Sequence, residues 1–152
     1  MIDVGMIIFA KYLFLVIVFL TVGYFFMQKR TVQKKILFFA LISLPLIFII
    51  AKILSMFYYD PRPFVLYHFT PLIPHDATNG FPSDHALLSF GLSFLLFFFH
   101  QKIGACLLFL SILVGISRMY VGVHSWVDIT ASFFIAFVVA FGTHLILKRV
   151  YR

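Results

Sequence analysis

The chain has 152 residues, of which 63% are hydrophobic and only 11% charged, with a mean hydropathy of +1.09 and a net charge of +7. Soluble domains carry about 45–50% apolar and about 25% charged residues, and a globule of this size would lack the polar residues to cover its surface. A soluble enzyme is thereby excluded, and 22 Phe with no Glu exclude a disordered chain or a coiled coil. The single cysteine, Cys106, excludes an intramolecular disulfide framework and a Cys-rich zinc site. A positive balance points to nucleic acid in a soluble protein, but in a membrane protein it sets topology. The composition is that of a small integral membrane protein, read as one domain over 1–152, with the bilayer and not nucleic acid as its partner.

A transmembrane helix needs about 20 predominantly apolar residues. The first span is expected from about Met6 to Met27, broken only by Lys11. Its apolar run is too long for a signal-peptide core and no small-residue cleavage site follows, so a retained span is expected. The second runs from about Ile36 to Tyr59, with Lys52 near its end. A long connection from Asp60 to Pro82 then holds all but one of the six prolines, including Asp60-Pro61-Arg62-Pro63, and the turn signal Asn79-Gly80. A connection of this length in a small protein is more often functional than filler. The third span runs from Ser83, a natural N-cap, to about Phe99. The fourth covers about Ile103 to Tyr120, and the fifth about Trp126 to Leu147, separated by a short turn around Gly122. The expected fold is an all-α polytopic bundle of about five transmembrane helices, with its termini on opposite sides. Gly104, Ser111 and Gly115, and Ser132, Ala136 and Ala140, recur at helical spacing and are expected to let helices approach closely.

In a five-span chain the basic residues separate. Lys29, Arg30, Lys34, Lys35, Lys102, Lys148, Arg149 and Arg152 fall on one side, which the positive-inside rule makes cytoplasmic. Lys11, Lys52, Arg62 and Arg118 lie toward the other, as do all five acids, Asp3, Asp60, Asp76, Asp84 and Asp128. Basic residues that defy a topology bias usually have another task, so chemistry is expected at the outer face.

Three segments bring ionisable groups to that face: Lys52 with Pro61-Arg62-Pro63, then Phe81-Pro82-Ser83-Asp84-His85, then Ser117-Arg118 through His124 to Asp128. Two arginines supply planar, permanently charged forks that match phosphate oxygens. The N-terminus of the third helix, beside Ser83, is suited to an anion. Two histidines can share nucleophilic and acid–base work near neutral pH. Asp128 lies four residues after His124, within reach of its imidazole on a helical turn, where it would fix the tautomer. Together these groups make a phosphoryl-transfer site with histidine as nucleophile.

These residues resemble the three-part signature of the type 2 phosphatidic acid phosphatase (PAP2) superfamily: Lys-x6-Arg-Pro, Pro-Ser-Gly-His and Ser-Arg-x5-His-x3-Asp. Ser117, Arg118, His124 and Asp128 match the third part in full. Pro82-Ser83-Asp84-His85 matches the second with Asp in place of Gly. The spelling around Asp60–Val65, Leu72–His75 and Phe81–Ala86 is similar to the bacitracin-resistance type of undecaprenyl-diphosphate phosphatase. The resemblance implies a helical bundle with a PAP2/haloperoxidase-like core. It also implies a lipid phosphatase of a bacterial inner membrane that acts on undecaprenyl diphosphate with its site facing outward. Carried over residue by residue, it implies that His124 is the nucleophile, Asp128 its orienting partner and His85 the acid and base. Arg62, Arg118, Ser83 and Lys52 would hold the phosphate, with no metal or cofactor.

Two positions depart from the pattern. The family lysine position is Ser55 here, while Lys52 lies one turn earlier on the same helical face, poised either to reach the phosphate or to snorkel to the interface. Asp84 adds a negative charge, to be met by His75, an arginine or a metal. A metal set of His85, His124, Asp128 and Asp84 is chemically allowed, but the arginines would repel a cation. His100 and His144 read as structural residues at the cytoplasmic end, and His68 and His75 as loop residues, with contact to a second phosphate the alternative for His75. Trp126, Tyr58, Tyr59 and Tyr67 read as an interfacial aromatic belt, and Asp60 as a loop charge. The competing functions are phosphatase for another lipid phosphate (phosphatidylglycerol phosphate, phosphatidate or a lipid A phosphate), a non-enzymatic membrane scaffold, and a small transporter. The last would need polar groups along a path near the bilayer midplane. The oligomeric state is left open.

Overall fold

The structure, a computed structural model, describes residues 2–150, so Arg152 of the basic group lies outside the described residues. It is built from helices α1 (Ile2–Met27), α2 (Arg30–Phe57), the short α3 (Pro63–Leu66), α4 (Asp84–Phe99), α5 (Gln101–Tyr120) and α6 (Trp126–Val150). The long apolar runs become helices because, in hydrocarbon, every backbone polar group must be satisfied within its own segment. Four of them, α1, α2, α5 and α6, are long and apolar enough to cross a membrane. The fifth, α4, has 16 residues, a rise of about 24 Å, which is short of the roughly 30 Å hydrocarbon core.

Packing explains why α4 does not need that length. Helices α1, α2, α5 and α6 all lie against it, and Ala86, Leu87, Phe90, Leu95 and Leu96 along it are buried. It is the central post of the bundle, surrounded by protein instead of lipid. The outward faces of α1 and α2 keep large apolar side chains exposed, among them Phe19, Phe26, Leu41 and Ile49. A surface of that kind is the one a bilayer covers.

The small residues act as expected. A methyl group at Gly104 would lie 2.2 Å from the Phe97 Cα, so α4 and α5 meet backbone to backbone. At Gly115 it would lie 2.5 Å from the Ile129 side chain. The Ser111 and Ser93 hydroxyls hydrogen-bond across α4 and α5 at 2.9 Å, and Ser132, Ala136 and Ala140 are fully buried on α6. His100 accepts from the Ile103 amide at the start of α5, and His144 stacks on Phe98 with ring centroids 4.3 Å apart.

Successive long helices alternate in direction. One end of the bundle therefore collects the start of α1, the end of α2, the start of α4, the end of α5 and the start of α6. A Tyr120 hydroxyl donating to Asp3 at 2.8 Å ties α1 to α5 there. Lys29, Arg30, Lys34, Lys35, Lys102, Lys148 and Arg149 lie at or near the opposite helix ends. The charge segregation expected from the sequence is thus built into the bundle.

Candidate active site

At the loop-rich end, α5 finishes and the chain turns back through Val121–Ser125 into α6. Gly122 permits that turn: its φ is +83°, and a Cβ there would lie 2.5 Å from the Phe69 ring. The turn leaves His124 at the mouth of α6, with Asp128 one helical turn on. The His124 Nδ1 and the Asp128 Oδ2 are 3.0 Å apart, and both residues are buried. The Ser125 amide donates to the same carboxylate oxygen at 2.9 Å, while the Ser125 Oγ accepts from the Asp128 amide at 3.2 Å and so caps α6. Aspartate's contact with Nδ1 leaves Nε2 as the imidazole nitrogen not engaged by the carboxylate.

Two guanidiniums face this pair. Arg62, which precedes α3, donates from Nη1 to the Val123 carbonyl at 2.8 Å, and that same nitrogen stands 3.5 Å from the His124 Nε2. Its Nη2 donates to the Asn79 carbonyl at 3.3 Å. Arg118, near the end of α5, donates from Nη1 to the Ala10 carbonyl at 3.3 Å. Both side chains are buried, at 6% and 3% exposure, and the Nε of each has no partner. Among the described residues, neither forms an ion pair with a carboxylate. A buried charge without a counter-ion is costly, and each guanidinium has five donors to place.

The remaining residues surround a cavity of about 530 Å³. His85 lines it from the first turn of α4, packed edge-on against Phe14 at a centroid distance of 4.5 Å. Lys52 and Ser55 both line it from α2, so the substituted family position and the lysine one turn earlier share one wall. Asp84 lines it without an ion pair among the described residues. Phe48, Ala51 and Phe81 give the same cavity an apolar side. The alternative metal set is not assembled: among the described residues, no group of three His, Cys, Asp or Glu is placed to hold an ion.

Ser83 departs from its expected role. It occupies the N-cap position of α4, but its hydroxyl makes no capping bond and is buried without a partner. Its backbone is held instead by Ser132, whose Oγ accepts from the Ser83 amide at 3.1 Å and contacts its carbonyl at 3.2 Å. The hydroxyl is thus left uncommitted beside the start of the helix.

Sequence reasoning missed the clasp that holds the site together. Asn79, read only as half of a turn, accepts at its Oδ1 from the Asp60 and Phe81 amides, both at 3.0 Å. Its Nδ2 donates to the Ser55 carbonyl at 3.2 Å and the Tyr58 carbonyl at 3.0 Å. Asp60, read as a loop charge, accepts from the Ser125 hydroxyl and so ties the Arg62 segment to the His124 turn. Gly80 must remain small, because a Cβ there would lie 3.0 Å from the Asp128 Oδ2. No local spacing announces these bonds, since the partners of the Asn79 Nδ2, at the end of α2 and just past it, are 24 and 21 residues away. Replacing Asn79 by Leu leaves several backbone groups unpaired and loosens Arg62. The expected result is roughly a tenfold loss of kcat/KM for whatever reaction the site carries out, with a lowered melting temperature. Full activity in Asn79→Leu would sink that role.

Electrostatics outside the helices follow from burial. Burial lowers the His124 pKa below its ordinary value of 6.5, while the Asp128 hydrogen bond pulls it the other way. The Arg62 pKa is lowered by burial and partly restored by Asp128 and Asp84. His75, in the connection leading to α4, is lowered by burial and then by Arg62 and Arg118. An imidazole lowered in this way is neutral at pH 7 and keeps a lone pair.

The family model described as the PAP2 superfamily matches residues 36–152. A Bacillus licheniformis protein named bacitracin transport permease protein BcrC is 36% identical over 109 residues, which are 71% of this chain and 54% of that protein. Undecaprenyl-diphosphatase BcrC of Bacillus subtilis (strain 168) is 38% identical over 93 residues, 61% of this chain and 48% of that one. The chain spans about half the length of these curated relatives. The crystal structure of Aquifex aeolicus LpxE superposes with a TM-score of 0.73 at 23% identity, covering 93% of this chain and 84% of the other, and so shares its fold.

Proposed function

This chain belongs to the PAP2 superfamily, and from that premise and the geometry of its site we propose that it is a membrane lipid phosphatase. In this reading it hydrolyses undecaprenyl diphosphate to undecaprenyl phosphate and phosphate through a covalent intermediate on His124. The observation that carries the reading is the pair of buried guanidiniums with no ion-paired carboxylate among the described residues, set beside a buried His–Asp pair. The mixed polar and apolar lining of the cavity supports a phosphate head with a hydrocarbon tail. The name of the Bacillus subtilis relative supports the diphosphate.

The steps are as follows. Arg62, Arg118 and the Ser83 hydroxyl hold the oxygens of the terminal phosphate, with Lys52 reaching in from α2. The His124 Nε2 lone pair attacks the terminal phosphorus, and the bond from that phosphorus to the bridging oxygen breaks. His85 gives its proton to the departing oxygen. His85 then takes a proton from water, whose oxygen attacks the phosphohistidine, and the P–N bond breaks to release phosphate. Asp128 holds Nδ1–H and steadies the imidazolium. Charge on the transferred group is met by fixed cations, the largest usual contribution to such a reaction. With the basic end in the cytoplasm by the positive-inside rule, the site opens on the outer face of the cell membrane.

The test is phosphate release by the purified protein in detergent with EDTA, which this metal-free reading expects to be harmless. Undecaprenyl diphosphate and phosphatidylglycerol phosphate are compared, with His124→Ala as control. Rapid His124-dependent release from the first supports the reading. Release from the second alone keeps the chemistry and overturns the substrate. Release from neither, or release indifferent to His124→Ala, returns the chain to the scaffold class.

A pH profile adds an independent check. Protonation removes the attacking lone pair, and burial favours the neutral form of His124. The acid limb of kcat/KM, which reports the free enzyme, is therefore expected below the ordinary histidine value of about 6.5. A limb centred above pH about 7 would contradict the assignment.

A further inference from the structure

His75 belongs to none of the three motifs, yet the fold carries it from the long connection into the middle of the site. It lines the cavity, and its ring stands edge-on to that of His124, with centroids 6.1 Å apart and planes at 78°. Its Nδ1 is buried and makes no hydrogen bond. A backbone hydrogen bond with Asp76 acts on the ring but leaves Nδ1 unpaired, and an apolar side chain would fill the space without the desolvation cost of that nitrogen. Positive charge surrounds it, since both Arg62 and Arg118 act on its imidazole. His75 thus shares one cavity with both guanidiniums and with His124.

We propose that His75 is a third catalytic histidine, donating a hydrogen bond to an oxygen of the phosphoryl group while that group moves onto and off His124. Arg62 already stands 3.5 Å from the His124 Nε2. A phosphoryl group seated on that nitrogen would have the guanidinium at one side and the His75 ring across the gap. A donor aimed there strengthens as charge spreads over the equatorial oxygens, so it acts on turnover more than on binding. The inference rests on the phosphatase reading.

The test uses the full chain in detergent, undecaprenyl diphosphate as substrate and two variants. His75→Phe keeps a ring against His124 and deletes both nitrogens, while His75→Asn keeps a donor near the place of Nδ1. His75→Phe is expected to lower kcat about 10- to 100-fold, with KM changed by less than about threefold. His75→Asn is expected to recover most of the loss. Inhibition by orthovanadate, a five-coordinate mimic of the transferred group, should weaken in His75→Phe by a factor similar to the loss in kcat. Wild-type kcat in His75→Phe overturns the proposal. So does a rise in KM alone, which would place the contact on the leaving phosphate. An equal loss in both variants with a lowered melting temperature, or failure of His75→Phe to fold, overturns it in favour of a packing role. If the wild-type protein neither releases phosphate from this lipid nor is stabilised by orthovanadate, the phosphatase reading itself has failed, which is a separate outcome.

Discussion

His124→Ala is expected to lower phosphate release by at least about 10⁴-fold, or about 5 kcal/mol of barrier, while leaving the fold intact. The size of the effect follows from position. His124 offers the one nitrogen of a buried His–Asp pair that is free of Asp128, and the guanidinium of Arg62 lies 3.5 Å from it. Removing the ring leaves Arg62 bonded to the Val123 and Asn79 carbonyls, so the anion site survives. The variant should still bind the lipid phosphate, and orthovanadate should still raise its melting temperature, though less than in the wild type. Loss of turnover with binding retained distinguishes removal of a nucleophile from collapse of the site. Turnover within about tenfold of wild type would mean that the attacking group lies elsewhere.

The architecture was legible because its signals are local. Apolar runs longer than a bilayer is thick dictate helices, and the segregation of lysines fixes how those helices alternate. The exception is instructive. The third span is 16 residues long, and nothing in its composition distinguishes it from a lipid-facing helix. It is short because it is the central post, and that depends on α1, α2 and α6, distant in sequence, as well as on adjacent α5.

The same contrast divides the site. The spacing of His124 and Asp128 predicts a contact because four residues on a helix end is a fixed geometry, and the distance is 3.0 Å. Convergence of Arg62, Arg118 and His85 followed from placing three motifs at one end of the bundle. The Asn79 and Asp60 clasp did not follow, since it is written in side-chain bonds to partners tens of residues away. Ser83 shows a third case. Its residue type predicted a helix cap, but Ser132 supplies the bonds that hold its backbone, which leaves the buried hydroxyl without a partner among the described residues.

His85→Ala is expected to cost about 10²- to 10⁴-fold on an alkyl phosphate such as phosphatidate, whose departing alkoxide needs a proton, and the loss should depend on the leaving group. His85 lines the cavity from the first turn of α4 and makes no hydrogen bond to His124, so its deletion spares the nucleophile. With a poor leaving oxygen, the first step loses its proton donor and stalls. With an aryl phosphate such as p-nitrophenyl phosphate, the leaving group needs no proton, so the first step should run while the second lacks its base. The variant should then release a burst of nitrophenol equal to the amount of enzyme and hold phosphorus in an acid-labile, alkali-stable linkage, the behaviour of a phosphoramidate. The double variant with His124→Ala should show neither the burst nor the linkage. Equal losses of His85→Ala on both substrates, with no trapped phosphorus, would argue that His85 binds the phosphate and moves no proton. That outcome would transfer the acid–base role to another group in the cavity, and His75, with its ring 6.1 Å from His124, would be the next to test.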